Sequence, residues 1–278
     1  MSRILVGTSS WADHTDFYPP GLPANQQISF YAQSFPIVEV NSSFYRMPPL
    51  RNFELWATRT PPGFVFDVKP YRQLTWHDRE NSPDPENTAQ FRRALQPLRD
   101  AGKLGAITFQ FPPWFTYRPD NLAYLRQLRE SFADDPLTIE FRHRSWLQAE
   151  HVPQVVEELR KEKLGLVVVD EPQVGSGSVP TVVRVTNPAL SLVRFHGRNA
   201  ATWYKKVDKT ADRFDYLYDE DELRGWLPNV AQLAKQAEEI HIFFNNNRAD
   251  YAVRNARQLT RLLLAEGPGA VVLPPDAS

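Results

Sequence analysis

The stretch LTIEFRHRSW, residues 137–146, decides the fold. Ile139 and Phe141 alternate with Glu140 and Arg142, and side chains on a strand alternate between two faces. One face is therefore apolar and the other carries charge. The run ends in a polar cluster and gives way to a segment of helical spacing, Val152–Glu162. Outward along the chain the unit recurs. The runs Ile4–Trp11, Ile37–Tyr45, Val65–Tyr71, Ala106–Pro113, Leu166–Glu171, Leu192–Arg198 and Ile240–Asn247 are short and β-branched or apolar, and each ends in polar residues. With the first-quoted run they make eight strands, most of them followed by an amphipathic segment. Such alternation predicts an α/β chain forming a single (β/α)8 TIM barrel, which typically needs about 250 residues.

The predicted helices are Gln26–Phe35, Phe53–Thr60, Pro85–Ala101, Asn121–Phe132, Val152–Glu162, Glu220–Glu238 and Tyr251–Leu264. After the sixth strand the helical pattern fails, and residues 172–188 read as an irregular connection rich in Gly, Ser, Val and Pro. After the seventh strand comes a long loop, residues 197–218, where Trp203, Tyr204, Tyr216 and Tyr218 are interleaved with Arg198, Lys205, Lys206 and Arg213. Aromatic and basic residues so mixed suit either a lid over an anionic ligand or a loop packed on its own rings. No linker composition divides residues 1–278, and 266–278 read as an extended tail.

Parity places a column of polar side chains inside the barrel: Glu39 with Asn41, Asp67 with Lys69, Thr108 with Gln110, Glu140 with Arg142, Val168 with Asp170, Arg194 with His196, and Phe243 with Asn245. Barrel interiors are usually filled by branched apolar residues, and buried charges must pair or meet a ligand. In the deeper layer three acids, Glu39, Asp67 and Glu140, face one base, Arg194. In the outer layer Lys69 and Arg142 face one acid, Asp170. The mouth is then cationic, and active sites of this fold sit at that end. The loops after strands seven and eight, where such barrels often hold phosphate, begin His196-Gly197-Arg198-Asn199 and Asn245-Asn246-Asn247-Arg248.

The expected site follows from these types. Asn41, Lys69, Gln110, Arg142, Arg194, Gly197, Arg198, Asn245 and Asn247 would bind the ligand. Glu140 or Asp170 would act as general base and His196 as general acid or base. Glu39, Asp67 and Trp146 would support them from behind. A column that is only a buried ion-pair network is the competing reading.

Composition narrows the classes. The formal charge of −1 argues against a generally basic nucleic-acid coat, and the absence of cysteine removes disulfides, thiol nucleophiles and cysteine-ligated metals. No apolar run approaches the ~20 residues of a membrane span, so a cytoplasmic protein with no membrane partner is expected. The sequence carries no G-x-x-x-x-G-K-[ST] phosphate loop, H-E-x-x-H motif or G-x-S-x-G elbow. No cofactor or intrinsic metal is called for; a recruited divalent metal would find His14, His77, His143 and His196 with Glu39, Glu140 or Asp170.

GTSSW at 7–11, VEVNSSFYR at 38–46, Lys69-Pro70, QFPP at 110–113, EFRHRSW at 140–146, RFHGRN at 194–199 and FFNNN at 243–247 together resemble the domain of unknown function 72 family, the YecE/YunF-like proteins. The resemblance spans residues 4 to about 264 and implies a TIM barrel without an established reaction. Barrels of this family have been compared with endonuclease IV and with sugar-phosphate isomerase-like barrels. This chain offers few inward histidines for a clustered metal. Where the family often has a glycine after Asn247, it has Arg248-Ala249-Asp250. The expected ligand is a small phosphorylated or other anionic molecule, bound and hydrolysed or isomerised. The alternatives are non-catalytic binding of a phosphorylated metabolite or nucleic-acid end, an endonuclease IV-like phosphodiesterase, and a two-carboxylate glycosidase-like enzyme built on Glu140 and Asp170. Oligomeric state is left open.

Overall fold

A computed structural model describes residues 1–81, 83–205 and 214–274. Eight parallel strands close on themselves: β1 (Arg3–Ser9), β2 (Ile37–Val40), β3 (Val65–Val68), β4 (Leu104–Gln110), β5 (Leu137–Glu140), β6 (Leu164–Asp170), β7 (Leu190–Phe195) and β8 (Glu239–Phe244). They pair in chain order, and β1 joins both β8 and β2, so the sheet is a barrel with a (β/α)8 pattern. A ninth strand, β9 (Ala270–Val271), runs alongside Arg3 and Ile4. It is the extended part of the tail; residues 275–278 lie outside the described residues, as do Lys206 and Arg213 of the long loop.

The helices follow the sequence with two breaks. The segment expected as one helix over 85–101 is α4 (Pro85–Ala94) followed by α5 (Gln96–Asp100). Pro97 lacks the N–H that a continuous helix needs there. Likewise 220–238 splits into α8 (Glu220–Arg224) and α9 (Leu227–Ala234) around Gly225 and Pro228. The others are α1 (Ala24–Ala32), α2 (Ser42–Tyr45), α3 (Leu50–Thr58), α6 (Pro119–Ser131), α7 (Val152–Lys161) and α10 (Tyr251–Glu266). The stretch from 171 to 189 holds neither helix nor strand, as its composition indicates. Among the described residues no helix is long and apolar enough to cross a membrane.

The core lies between strands and helices. In α10, Val253, Ala256, Leu259 and Leu263 recur at helical spacing and are buried. Their counterparts on the sheet are the outward strand residues, such as Val38, Ile107, Ile139, Phe195 and Ile242. At about 1.5–3 kcal/mol per large apolar side chain, this layer is the main stabilising term and frees the barrel interior for polar residues.

Register corrects one parity. Val169 pairs with Arg194, and Asp170 pairs with Phe195. Arg194 points inward, so Val167, Val169 and Glu171 do too. Asp170 points outward with Phe195. The run Val167-Val168-Val169 offers no polar alternation to fix the phase, which is why sequence parity fails there.

Candidate functional site

The strands' C-terminal ends open into a cavity of about 680 Å³. Its cations are Lys69, Arg142 and Arg194, its amides Asn41, Gln110, Asn245 and Asn247, and its rings include Phe44, Tyr45 and Phe214. Asp13 is the one carboxylate among the described lining residues.

Below the cavity Glu140 is the hub. Its Oε1 accepts from Gln110 Nε2 at 2.6 Å and Arg142 Nη1 at 3.2 Å, and sits 3.0 Å from His196 Nε2. Its Oε2 accepts from Arg194 Nη1 at 2.5 Å. Burial alone would favour the neutral acid, but Arg194, His196 and Arg142 reverse it and hold the carboxyl well below its ordinary range. Glu39 takes the other arm of Arg194, Nη2 to Oε2 at 2.7 Å. Burial pushes His196 down to about 4, against the pull of Glu140, so its ring is neutral. Its Nδ1 lies 3.0 Å from Asn245 Nδ2 and accepts from it, which leaves Nε2 as the donor to Glu140.

Lys69 stands apart. β3 ends at Val68, and Lys69 is pinned by its N–H to Val40 O and by Ser43 Oγ donating to its carbonyl at 2.6 Å. Its Nζ donates to Gln110 Oε1 at 2.7 Å and lies 4.8 Å from the centre of the Phe44 ring. Among the described residues no carboxylate comes within ion-pair distance of it. Burial, and then the field of Arg194, lower its pKa to about 8.

The residues expected to move protons do not line the cavity. Glu140 and His196 are buried beneath it and saturated by partners. Asp170, outward, accepts from Arg198 Nε at 2.9 Å and Nη2 at 2.6 Å, from Tyr218 at 2.8 Å and from Trp226 Nε1 at 2.7 Å. It ties the long loop and α8–α9 to the barrel. Arg198 is thereby held away from the cavity, and Glu222 holds its remaining arm. Gly197 has φ of 84°, and its N–H donates to Tyr218 Oη, so it does not cradle a ligand. Asp67 pairs with His241 Nδ1 at 2.8 Å on the face of β8 that also carries Phe243, and it does not orient Glu140. Trp146 stacks 4.1 Å from Phe141 on the helix side and donates to Phe115 O, so it supports β5 from outside. Asn41, Lys69, Gln110, Arg142, Arg194, Asn245 and Asn247 do come together.

Sequence reasoning missed Glu171 and His241. Glu171 faces inward, 2.9 Å from Arg142 Nη1, and its Oε1 accepts from Val179 N–H. Burial raises its pKa to about 7 in spite of Arg142. Reading strand six in phase with Arg194 would have found it. His241 has the parity of Phe243 and Asn245 and bonds Glu239 as well as Asp67. Burial disfavours its charge, yet Asp67 and Glu239 outweigh this and raise it to about 9. Gly105 leaves room for that pair: a Cβ there would lie 2.4 Å from Asp67 Oδ1 and 2.9 Å from His241 Cε1. Among the described residues no three His, Cys, Asp or Glu side chains converge on a metal-sized point.

The family model "Protein of unknown function DUF72" matches residues 5–277. The chain belongs to the DUF72 family. A curated relative, the UPF0759 protein YunF of Bacillus subtilis (strain 168), is 38% identical over 272 residues, covering 96% of each chain. A crystal structure of a DUF72 family protein from Enterococcus faecalis V583 superposes with TM-score 0.86 at 32% identity, covering 94% of this chain and 95% of that one. Another, from Thermotoga maritima MSB8, gives 0.82 at 34% identity, covering 94% and 99%. The DUF72 fold is thus the barrel that the strand rhythm indicates, and these names assign no reaction. In this DUF72 chain Ala249 has φ of 49°, a left-handed conformation that favours the glycine expected after Asn247.

Proposed function

We propose that the mouth cavity binds a small phosphorylated ligand, its phosphate held by Lys69 Nζ and the Arg142 guanidinium. The observation that carries this reading is the Lys69 ammonium in the cavity wall, which has no carboxylate partner among the described residues. Inside the barrel the acids Glu39, Asp67, Glu140, Glu171 and Glu239 face the bases Lys69, Arg142, Arg194 and His241. Among the described residues the acids touch Arg142, Arg194 and His241, and Lys69 meets only the neutral amide of Gln110. A buried cation without a counter-ion is costly, and an anion relieves it.

Ligand hydroxyls have partners as well. Asn41 Oδ1 and Asn247 Oδ1, on two cavity residues, are buried acceptors with no hydrogen-bond donor among the described residues. A polyhydroxylated phosphate therefore fits better than phosphate alone. The two-carboxylate alternative has no support in the geometry, since Glu140 is caged below the floor and Asp170 faces the helices. A cytoplasmic setting, consistent with a cysteine-free chain, is part of this reading.

The test is the melting temperature against inorganic phosphate at constant ionic strength. At 100 times its dissociation constant a ligand stabilises by about 2.7 kcal/mol, or roughly 5–10 °C for a chain of this size. A saturable rise that Arg142→Ala removes is expected. No rise at any phosphate concentration would leave the polar column as an internally paired network and overturn the reading.

A further inference from the structure

We propose that Lys69 is a covalent group, forming an imine with a carbonyl carbon of the phosphorylated ligand. This rests on the phosphate reading of the same cavity and names the ligand class more closely: a phosphorylated aldehyde or ketone.

Among the described lysines two are buried, and their surroundings differ. Lys103 Nζ donates to Ala57 O, Thr60 O and Thr60 Oγ1, which uses all three of its protons and leaves none to face a ligand. It lines no part of the mouth. Among the described residues Lys69 Nζ has the single acceptor Gln110 Oε1, and it otherwise borders the cavity. Lys161, Lys163, Lys205 and Lys235 are exposed.

Gln110 is held so that it cannot change places with an acid. Its Nε2 donates to Glu140 Oε1, which fixes Oε1 as the end that faces Lys69. Glu140 thus reaches Lys69 only through a neutral amide. Burial, and then the field of Arg194, bring the amine to about 8 against the pull of Glu39 and Glu140, so that a useful fraction is unprotonated at neutral pH. A lysine desolvated beside other cations is the ordinary way to make an amine nucleophile. The Phe44 ring face and Gln110 Oε1 can also hold a protonated imine, which carries the same charge as the ammonium it replaces.

The step balances without an oxidant. The Nζ electron pair forms a bond to the carbonyl carbon, and the π pair moves to oxygen. One proton passes from nitrogen to that oxygen and a second comes from solvent. The oxygen leaves as water while the nitrogen pair closes the C=N bond, giving an iminium ion. Its positive charge withdraws electrons from the adjacent carbon, as isomerisation or carbon–carbon cleavage next to a carbonyl requires.

The experiment is reductive trapping on the intact protein at pH 7.5. Glycolaldehyde phosphate and glycolaldehyde are each supplied with cyanoborohydride, and labelled lysines are mapped by peptide mass. Lys69 should label about tenfold faster than the exposed lysines, since its larger free-amine fraction outweighs its lower intrinsic nucleophilicity. The phosphorylated probe should be favoured, and inorganic phosphate should slow it. Lys69→Arg should lose the adduct. Lys69 labelling no faster than the exposed lysines would refute the imine, and a retained phosphate effect would then show that the anion site stands alone. Equal fast labelling by both probes, with no protection by phosphate, would keep the imine and overturn the phosphate reading. The label is read on the wild-type chain, so the outcome does not hinge on the folding of Lys69→Arg.

Discussion

Replacing Arg194 by Met should be among the most damaging single changes in this protein. Arg194 is 1% exposed and joins two carboxylates that have no solvent to turn to. The losses are unequal. Glu140 would keep Gln110, Arg142 and His196. Glu39 would keep nothing, because its Oε1 already lacks a partner and its Oε2 is the atom that Arg194 holds. Stranding one buried charge typically costs about 3–5 kcal/mol. On a chain of this size that is a fall in melting temperature of roughly 10 °C. Methionine fills comparable space, so little of the loss would come from a cavity. Glu39 is then the source of the loss, and a double-mutant cycle followed by urea denaturation tests that. Glu39→Gln in the Arg194→Met background should restore stability, whereas in the wild-type background it should cost stability by stranding one arm of Arg194. Additive losses from the two substitutions, or an Arg194→Met loss below about 1 kcal/mol, would refute the account of the buried network.

Phosphate affinity should be strongest below pH 8 and weaken as pH rises through about 8, because Lys69 loses its charge there; calorimetric titration from pH 6.5 to 9 measures this, and a flat profile would count against Lys69 as the anion's partner. Arg198→Ala should leave phosphate affinity unchanged and lower the melting temperature, since Arg198 binds Asp170 and Glu222 rather than the cavity; a large affinity loss would contradict that placement. His241 has its folded pKa raised from 6.5 to about 9, so its contribution to stability is complete below 6.5 and disappears as pH rises through 9. Denaturation midpoints should fall across that window in the wild type and flatten in His241→Gln. Ala249→Gly should stabilise by about 1 kcal/mol by relieving a left-handed alanine; a destabilisation would mean that unfolded-state entropy outweighs the strain.

Most of the barrel was readable because its strands alternate visibly. In β5 the sequence Ile139-Glu140-Phe141 states which side faces the helices, and the same holds for β2, β3 and β7. β6 has three valines in a row, and a strand buried on both faces carries no such record. Its phase comes from hydrogen bonding to Arg194's strand, a non-local fact. That single shift exchanged Asp170 for Glu171 in the interior. The cavity residues Lys69, Gln110, Arg142 and Asn245 were legible for the same reason that β5 was. The surroundings of Glu140 and His196 were not, because residue type says that a group can transfer protons, and only geometry says which partners hold it. Arg198 illustrates the loop version of this limit: a base beside a glycine suits phosphate, but an outward aspartate was closer.

β1 draws its hydrogen-bonding partners from opposite ends of the polypeptide. Arg3 to Thr8 pair with β8, and Arg3 and Ile4 also pair with β9 near residue 270. During synthesis β1 therefore leaves the ribosome well before the strands that enclose it. Its edge stays unsatisfied until nearly the whole chain has emerged, a long sequence separation that slows closure. An exposed edge strand is also a template for wrong pairing. Vectorial synthesis should thus favour a chaperone-accessible half-barrel. Loss of the last strand would then register as poorer yield of folded protein before it registers as weaker ligand binding.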